Sequence, residues 1–381
     1  MIYKYRKFFL LFLLFFAVPL FAQNASQPWW LSLEQGKIKF RSRDYGDALM
    51  LFEDARRNRR AMYEQMERDL ISFLSLNEVR RIGDSLEILE KYAKDRYHTA
   101  ASAALEELFY RIPKASLNNS ANAALNAIGK LKNYPEAEYW IGEVYRVEGE
   151  LSLALSQFRR AYEMRESLED PGFATALLYK ISNILLTRRE YNEMERTLLS
   201  IIAENDTLWA SFRRSENDQT QTSSFISQAM TRTLENDGIG RFMELYRYNN
   251  SAAEQAHRLL GFYYAASGRP SAQQHLMFAF LIQNTIIIEE VTRRQFDFTF
   301  TDLAALAQEI NRNSLLLSYV EETEYYRTIY YLSASLYRNG RTSAARNFWE
   351  FLASQPQAGE WHNRAVMQIR NPLLEPIIEL P

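Results

Sequence analysis

Four histidines, His98, His257, His275 and His362, are where metal chemistry would show first in this chain. None stands in the H-E-x-x-H register that places two imidazoles on one helix face for zinc, and with no cysteine there is no thiolate to complete a site. Gly238-Ile239-Gly240 is the only dense glycine stretch. It lacks the third glycine and the preceding strand that a dinucleotide turn requires, and neither G-x-x-x-x-G-K nor G-x-S-x-G occurs. Carboxylates cluster at Glu289–Glu290 and at Glu321, Glu322 and Glu324. Neighbouring positions on a helix point in different directions, whereas paired-carboxylate catalysis needs both groups on one substrate. The expectation is a non-enzymatic protein with no catalytic residue, cofactor or resident metal.

Aromatic and arginine side chains suit binding better, and the elements that would position them can be read from "YWIGEVYRVEGELSLALSQFRRAY", residues 139–162. Gly142 is followed at three by Tyr145, at seven by Gly149, at twelve by Ala154, at sixteen by Phe158 and at nineteen by Ala161. Small residues where two helices meet, large ones between them and a glycine at the turn describe a helical hairpin. Gly36, Phe40, Tyr45, Ala48, Phe52 and Ala55 repeat the spacing. So, with departures, do Ser182–Leu185–Tyr191–Leu198, Gly261–Tyr264–Gly268 and Ser333–Leu336–Gly340–Ala345–Trp349.

In these five stretches the chain resembles the tetratricopeptide-repeat family. The resemblance implies an all-α solenoid of about nine antiparallel helix pairs in a right-handed superhelix. Its clearest units are 29–62, 135–168, 175–208, 254–287 and 326–359, with further units starting near 64, 100, 214 and 290. A closing helix is expected over about 361–369 within a C-terminal segment 360–381. First helices in this family line a concave groove. Carried over position by position, the groove residues are Tyr139, Trp140, Glu143 and Arg146 in one unit and Tyr330, Tyr337 and Arg338 in another. Lys37, Phe40 and Trp30 belong to the first unit's groove face. The implied partner is a protein or peptide in the groove, on a scaffold for assembling a cell-envelope machine. The alternative is a groove-type module for an envelope ligand such as peptidoglycan or a peptide. The lysine and asparagine clamp of chaperone-binding members is not reproduced, since Leu33 and Lys37 stand at its leading positions.

Two segments interrupt the pattern. "SENDQTQTSS" (215–224) reads as an exposed loop or frayed helix start, and "QFDFTFTD" (295–302) as an extended linker laying phenylalanines on the helices rather than a strand.

The N-terminus sets the compartment. Lys4, Arg6 and Lys7 precede an uncharged run from Phe8 to Ala22, which is short of the roughly 20 apolar residues of a spanning helix. It reads as a signal peptide, 1–22, cleaved between Ala22 and Gln23, and implies a periplasmic or secreted protein without a stable membrane anchor. Removing those three cations from 45 Lys+Arg leaves 42 against 47 Asp+Glu. An acidic balance argues against nucleic acid as partner. N-terminal sequencing of the exported protein should return Gln23 or a neighbour; Met1 recovered intact from membranes would mark the segment as an anchor instead.

Overall fold

A computed structural model describes residues 27–74, 125–211 and 229–372, and among them every regular element is helical. The signal segment, the units expected near 100 and 214, and 215–224 lie outside the described residues. None of the described helices is long and apolar enough to cross a membrane. The chain divides into two compact units at Lys180/Ile181. The first holds α1 (Trp29–Arg41), α2 (Tyr45–Leu74), α3 (Pro135–Val147), α4 (Leu151–Glu163) and the start of α5 (Phe173–Thr187). The second holds the rest of α5, α6 (Tyr191–Asn205), α7 (Gly238–Tyr246), α8 (Ser251–Ala266), α9 (Ala272–Arg294), α10 (Leu303–Asn311), α11 (Ser314–Glu322), α12 (Tyr325–Arg338), α13 (Thr342–Ala353) and α14 (Glu360–Arg370).

One turn recurs five times. After α1, α3, α5, α8 and α12, the residue closing the helix has positive φ: Arg43, Gly149, Arg189, Gly268 and Gly340, between 60° and 85°. The amide that follows returns to a carbonyl five residues back: Asp44 to Lys39, Glu150 to Tyr145, Glu190 to Leu185, Arg269 to Tyr264 and Arg341 to Leu336, at 2.8 to 3.0 Å. The positive-φ residue itself donates to a carbonyl three back, such as Phe40 or Arg146. This pair of bonds is the Schellman motif, which satisfies the orphan carbonyls at a helix end and reverses the chain.

Within the hairpins the helices approach closely at one place. A Cβ added to Gly36 would lie 2.5 Å from the Phe52 ring. At Gly142 it would lie 2.8 Å from the Phe158 ring, and at Gly261 2.6 Å from the Leu276 side chain. Phe52, Phe158 and Leu276 have no exposed surface, so the two helices are spaced by a ring or an isobutyl group lying on bare backbone. Ala48, Ala154, Ala55 and Ala161, all fully buried, line the same seams.

Helix lengths depart from an even repeat. α2 runs unbroken through 64, where a new unit was expected, and α9 runs on to Arg294 past both 287 and 290. Neither stretch contains a proline or glycine beyond Gly46, so nothing interrupts the backbone ladder. The pair after α9 begins only at 303, capped by Asp302, whose carboxylate accepts the Ala305 amide at 2.8 Å. The linker 295–302 contains no strand. Phe300 is buried and Phe298 half-buried, but Phe296 is 97% exposed, so only part of the phenylalanine run lies on the helices.

Arginine is a poor occupant of the left-handed region, and glycine is at home there. Arg43→Gly and Arg189→Gly should each stabilise the fold by about 1 kcal/mol. Gly142→Ala should destabilise it by about 1–3 kcal/mol, because the Phe158 ring has nowhere to go. Denaturant midpoints read both signs.

Candidate functional site

The four groove residues expected on α3 do come together in the first unit, on a helix gripped from several sides. At its start, Glu138 is buried and accepts from Arg56 of α2 at 3.1 and 3.2 Å and pairs with Arg160 of α4 at 3.1 Å. This carboxylate ties three helices together. The aromatic pair follows. Trp140 is half-buried, its ring 5.7 Å from Phe52 and nearly parallel to it, and 5.4 Å from Phe40. Tyr139 is half-buried too, 5.6 Å from Phe158 and 4.8 Å from Phe173 at the start of α5. Their rings meet edge to face at 5.3 Å. Burial, and next the nearby Glu143 carboxylate, push the Tyr139 hydroxyl up to about 12, so it stays a protonated donor at neutral pH.

Cations border these rings. Lys37 Nζ lies 5.9 Å from the Trp140 ring centre, and Lys180 Nζ lies 5.8 Å from that of Tyr139. Arg146, one to two turns along α3, is exposed. Glu143 is 5% exposed and serves two of these cations at once: Arg146 donates to it at 2.8 Å and Lys180 pairs with it at 2.9 Å. The surface is thus an aromatic floor, Trp140 and Tyr139, with Lys37, Lys180 and Arg146 around it and one buried carboxylate beneath. Such a surface can stack planar or apolar groups and donate to anionic or carbonyl oxygens. Among the described residues no group of three or more acids and histidines could hold a metal ion.

Glu143, expected on the groove face, is instead a buried acceptor whose two partners are Arg146 and Lys180. Lys180 and Phe173 were missed at this site. Lys180 stands sixth in the unit starting at 175, as Trp140 does in the unit starting at 135, so the same positional reading would have found it.

The residues expected on α12 fare differently. Tyr330 has no exposed surface, its ring 5.4 Å from both Tyr331 and Trp361 and its hydroxyl accepting from Gln368 at 3.0 Å. It is a core residue because α14 packs on this part of α12 and covers the position that would otherwise open to a groove. Tyr337 is half-buried against Trp349 at 5.5 Å. Arg338 is exposed, but its guanidinium lies over the α8–α9 turn, 2.9 Å from where a Gly268 Cβ would be. Two of the clustered carboxylates are ion-paired: Glu290 with Arg293 and Arg294, and Glu324 with Arg258 and Arg327.

No protein-family profile matches the chain. It is similar to an uncharacterized protein of Treponema pallidum (strain Nichols), 25% identical over 348 residues that cover 91% of this chain and 90% of the relative. It is also similar to an uncharacterized protein of Borreliella burgdorferi, strain B31, 21% identical over 272 residues covering 68% of this chain and 84% of the relative.

Tyr330→Ala should cost about 3–5 kcal/mol of stability, as expected for a deleted core aromatic. Arg338→Ala should stay within about 0.5 kcal/mol of the unaltered protein. Equal effects in urea unfolding would contradict this assignment of core and surface.

Proposed function

We propose that this chain is an exported, non-enzymatic scaffold of the tetratricopeptide kind, an α-solenoid that holds a protein or peptide partner on the aromatic and cationic face of its first unit. The observation that carries the reading is the repeated hairpin: five Schellman turns at one register, three of them followed by the same seating of a large side chain on a helix glycine. A repeat that leaves an apolar face for the next unit to cover is how helical arrays are built. In such arrays the first helices of successive pairs line one surface, and Lys37, Trp140, Tyr139 and Lys180 come from α1, α3 and α5, the first helices of three pairs.

A partner seated there covers half-buried rings that already hold their conformation, so little side-chain entropy is lost on binding. Cations at the rim supply orientation through carboxylate or backbone carbonyl groups. The proposed setting is the cell envelope, following the leader-like N-terminus, and the role is assembly of an envelope machine.

Crosslinking in intact cells followed by identification of captured proteins, run beside binding to purified peptidoglycan, separates the two ligand classes. Capture of the same partner should fall by roughly 10- to 30-fold in affinity for Trp140→Ala, about 2 kcal/mol, and less for Arg146→Ala. Undiminished capture by both variants would rule out this face, and saturable binding to glycan alone would replace the protein partner with a polymer.

A further inference from the structure

The second unit buries a chain of three ionisable side chains. Asp206 follows α6 and caps the helical residues 207–211, its Oδ1 accepting the Trp209 amide at 2.7 Å. Its Oδ2 lies 3.1 Å from Nε2 of His257 on α8. Nδ1 of His257 lies 3.0 Å from Nδ1 of His275 on α9. The side chains of Asp206 and His257 have no exposed surface, and His275 is 2% exposed. Trp209 covers both imidazoles, at 4.9 and 4.3 Å between ring centres, and Phe278 lies 5.1 Å from His257. The 206–211 segment and the two helices of the α8–α9 hairpin are therefore joined through two hydrogen bonds in an apolar box.

Among the described residues, the neighbouring charges pair with one another. Tyr264 of α8, 5.3 Å from His275, donates its hydroxyl to Glu195 of α6, which also pairs with Arg269. Glu254 and Arg258, on either side of His257 in α8, pair with one another, and they reach Gln283 of α9 and Glu324 ahead of α12 respectively. Among the described residues, Asp206 is the charge that His257 meets.

Proton counting limits what this chain can hold. An ionised carboxylate only accepts, so His257 Nε2 must carry a hydrogen. The contact between the two Nδ1 atoms needs one hydrogen and has room for only one. Both rings neutral satisfies this, and so does one imidazolium with one neutral ring. Two imidazolium rings put two N–H groups head-on at 3.0 Å, and the contact must open.

We propose that Asp206, His257 and His275 form a proton-operated latch, which holds α8, α9 and the 206–211 segment together near neutral pH and releases them in mild acid. Desolvation by burial opposes charging His257 in the closed form, against the smaller pull of Asp206. The sign follows. Solvated histidines charge below about pH 6.5, so the open form binds more protons than the closed one there. The latch is intact above that pH and weakens as pH falls through it. Each extra proton bound by the open form shifts the opening equilibrium about tenfold per pH unit.

Amide hydrogen exchange on the full chain, corrected for the intrinsic pH dependence of exchange, reads this directly. Between pH 6.5 and 5.5 the opening constants of α8 and α9 should rise about fivefold where the open form binds one more proton than the closed, and about thirtyfold where it binds two. In His275→Asn, whose side-chain amide keeps a donor facing His257 but cannot be charged, the rise should be markedly smaller. Opening that is insensitive to pH, or equally steep in the variant, overturns the latch. Should the variant fail to fold, imidazole resonances of the unaltered protein decide: two ordinary titrations near pH 6.5 with the native spectrum intact overturn it, whereas loss of native α8 and α9 signals in step with titration supports it.

Discussion

Three of the five hairpins hang on a contact that only glycine allows. Where Phe52 lies on Gly36, Phe158 on Gly142 and Leu276 on Gly261, a single methyl group would fall inside van der Waals range of a side chain with no exposed surface. That contact fixes the separation of the two helices, and so which other side chains reach the seam. Ala48 and Ala154 are small because the helices are close, and Tyr139 and Trp140 project outward because the inward face of α3 is already occupied. The Schellman turn then sets register, since a fixed number of residues separates the glycine from its large partner only if the turn has fixed length. Where serine replaces glycine, at Ser182 and Ser333, both are fully buried, and Ser333 returns its hydroxyl to the Ile329 carbonyl at 2.7 Å.

Electrostatics refines what packing begins. Each of the two buried glutamates of α3 meets a pair of cations from other parts of the chain or its own next turn, and none of those cations is itself fully buried. Burying a carboxylate is tolerable when its partners keep one side in water, because the desolvation falls mainly on one ion. Arg59 is the reverse case. It is fully buried between the faces of Trp29 and Tyr134, at 5.0 and 4.3 Å, and its Nε donates to the Leu131 carbonyl at 3.0 Å. Here π-faces and a backbone carbonyl take the place of water around the cation, with Glu136 and Glu169 at 3.9 Å.

Legibility in the sequence followed the range of the interaction. Hairpins whose partners sit three to sixteen residues apart, Gly142 with Phe158 or Tyr145 with its turn, were readable because a helix converts sequence spacing into geometry. The turn residues Arg43 and Arg189 escaped because nothing about arginine announces positive φ. Tyr330 was misread as surface because its cover, Trp361 and Gln368, arrives from a helix some thirty residues on, and no local rule predicts which helix will land there. Lys180 was legible in principle, being the same register position one unit later. The Asp206, His257 and His275 chain was not: the two histidines are 18 residues apart and the aspartate 51 from the first, spacings without meaning until α8 and α9 fold together.

Glu143 sits at the centre of a small economy of contacts. One carboxylate holds both Arg146 and Lys180, so it keeps a partner when either cation is drawn away. An incoming anion that takes Lys180 leaves Glu143 bound to Arg146, and one that takes Arg146 leaves it bound to Lys180. At no point in such an exchange is a buried charge stranded. The face can therefore trade an internal ion pair for an external one by a relay, with the barrier of a side-chain swing rather than that of stripping a salt bridge bare.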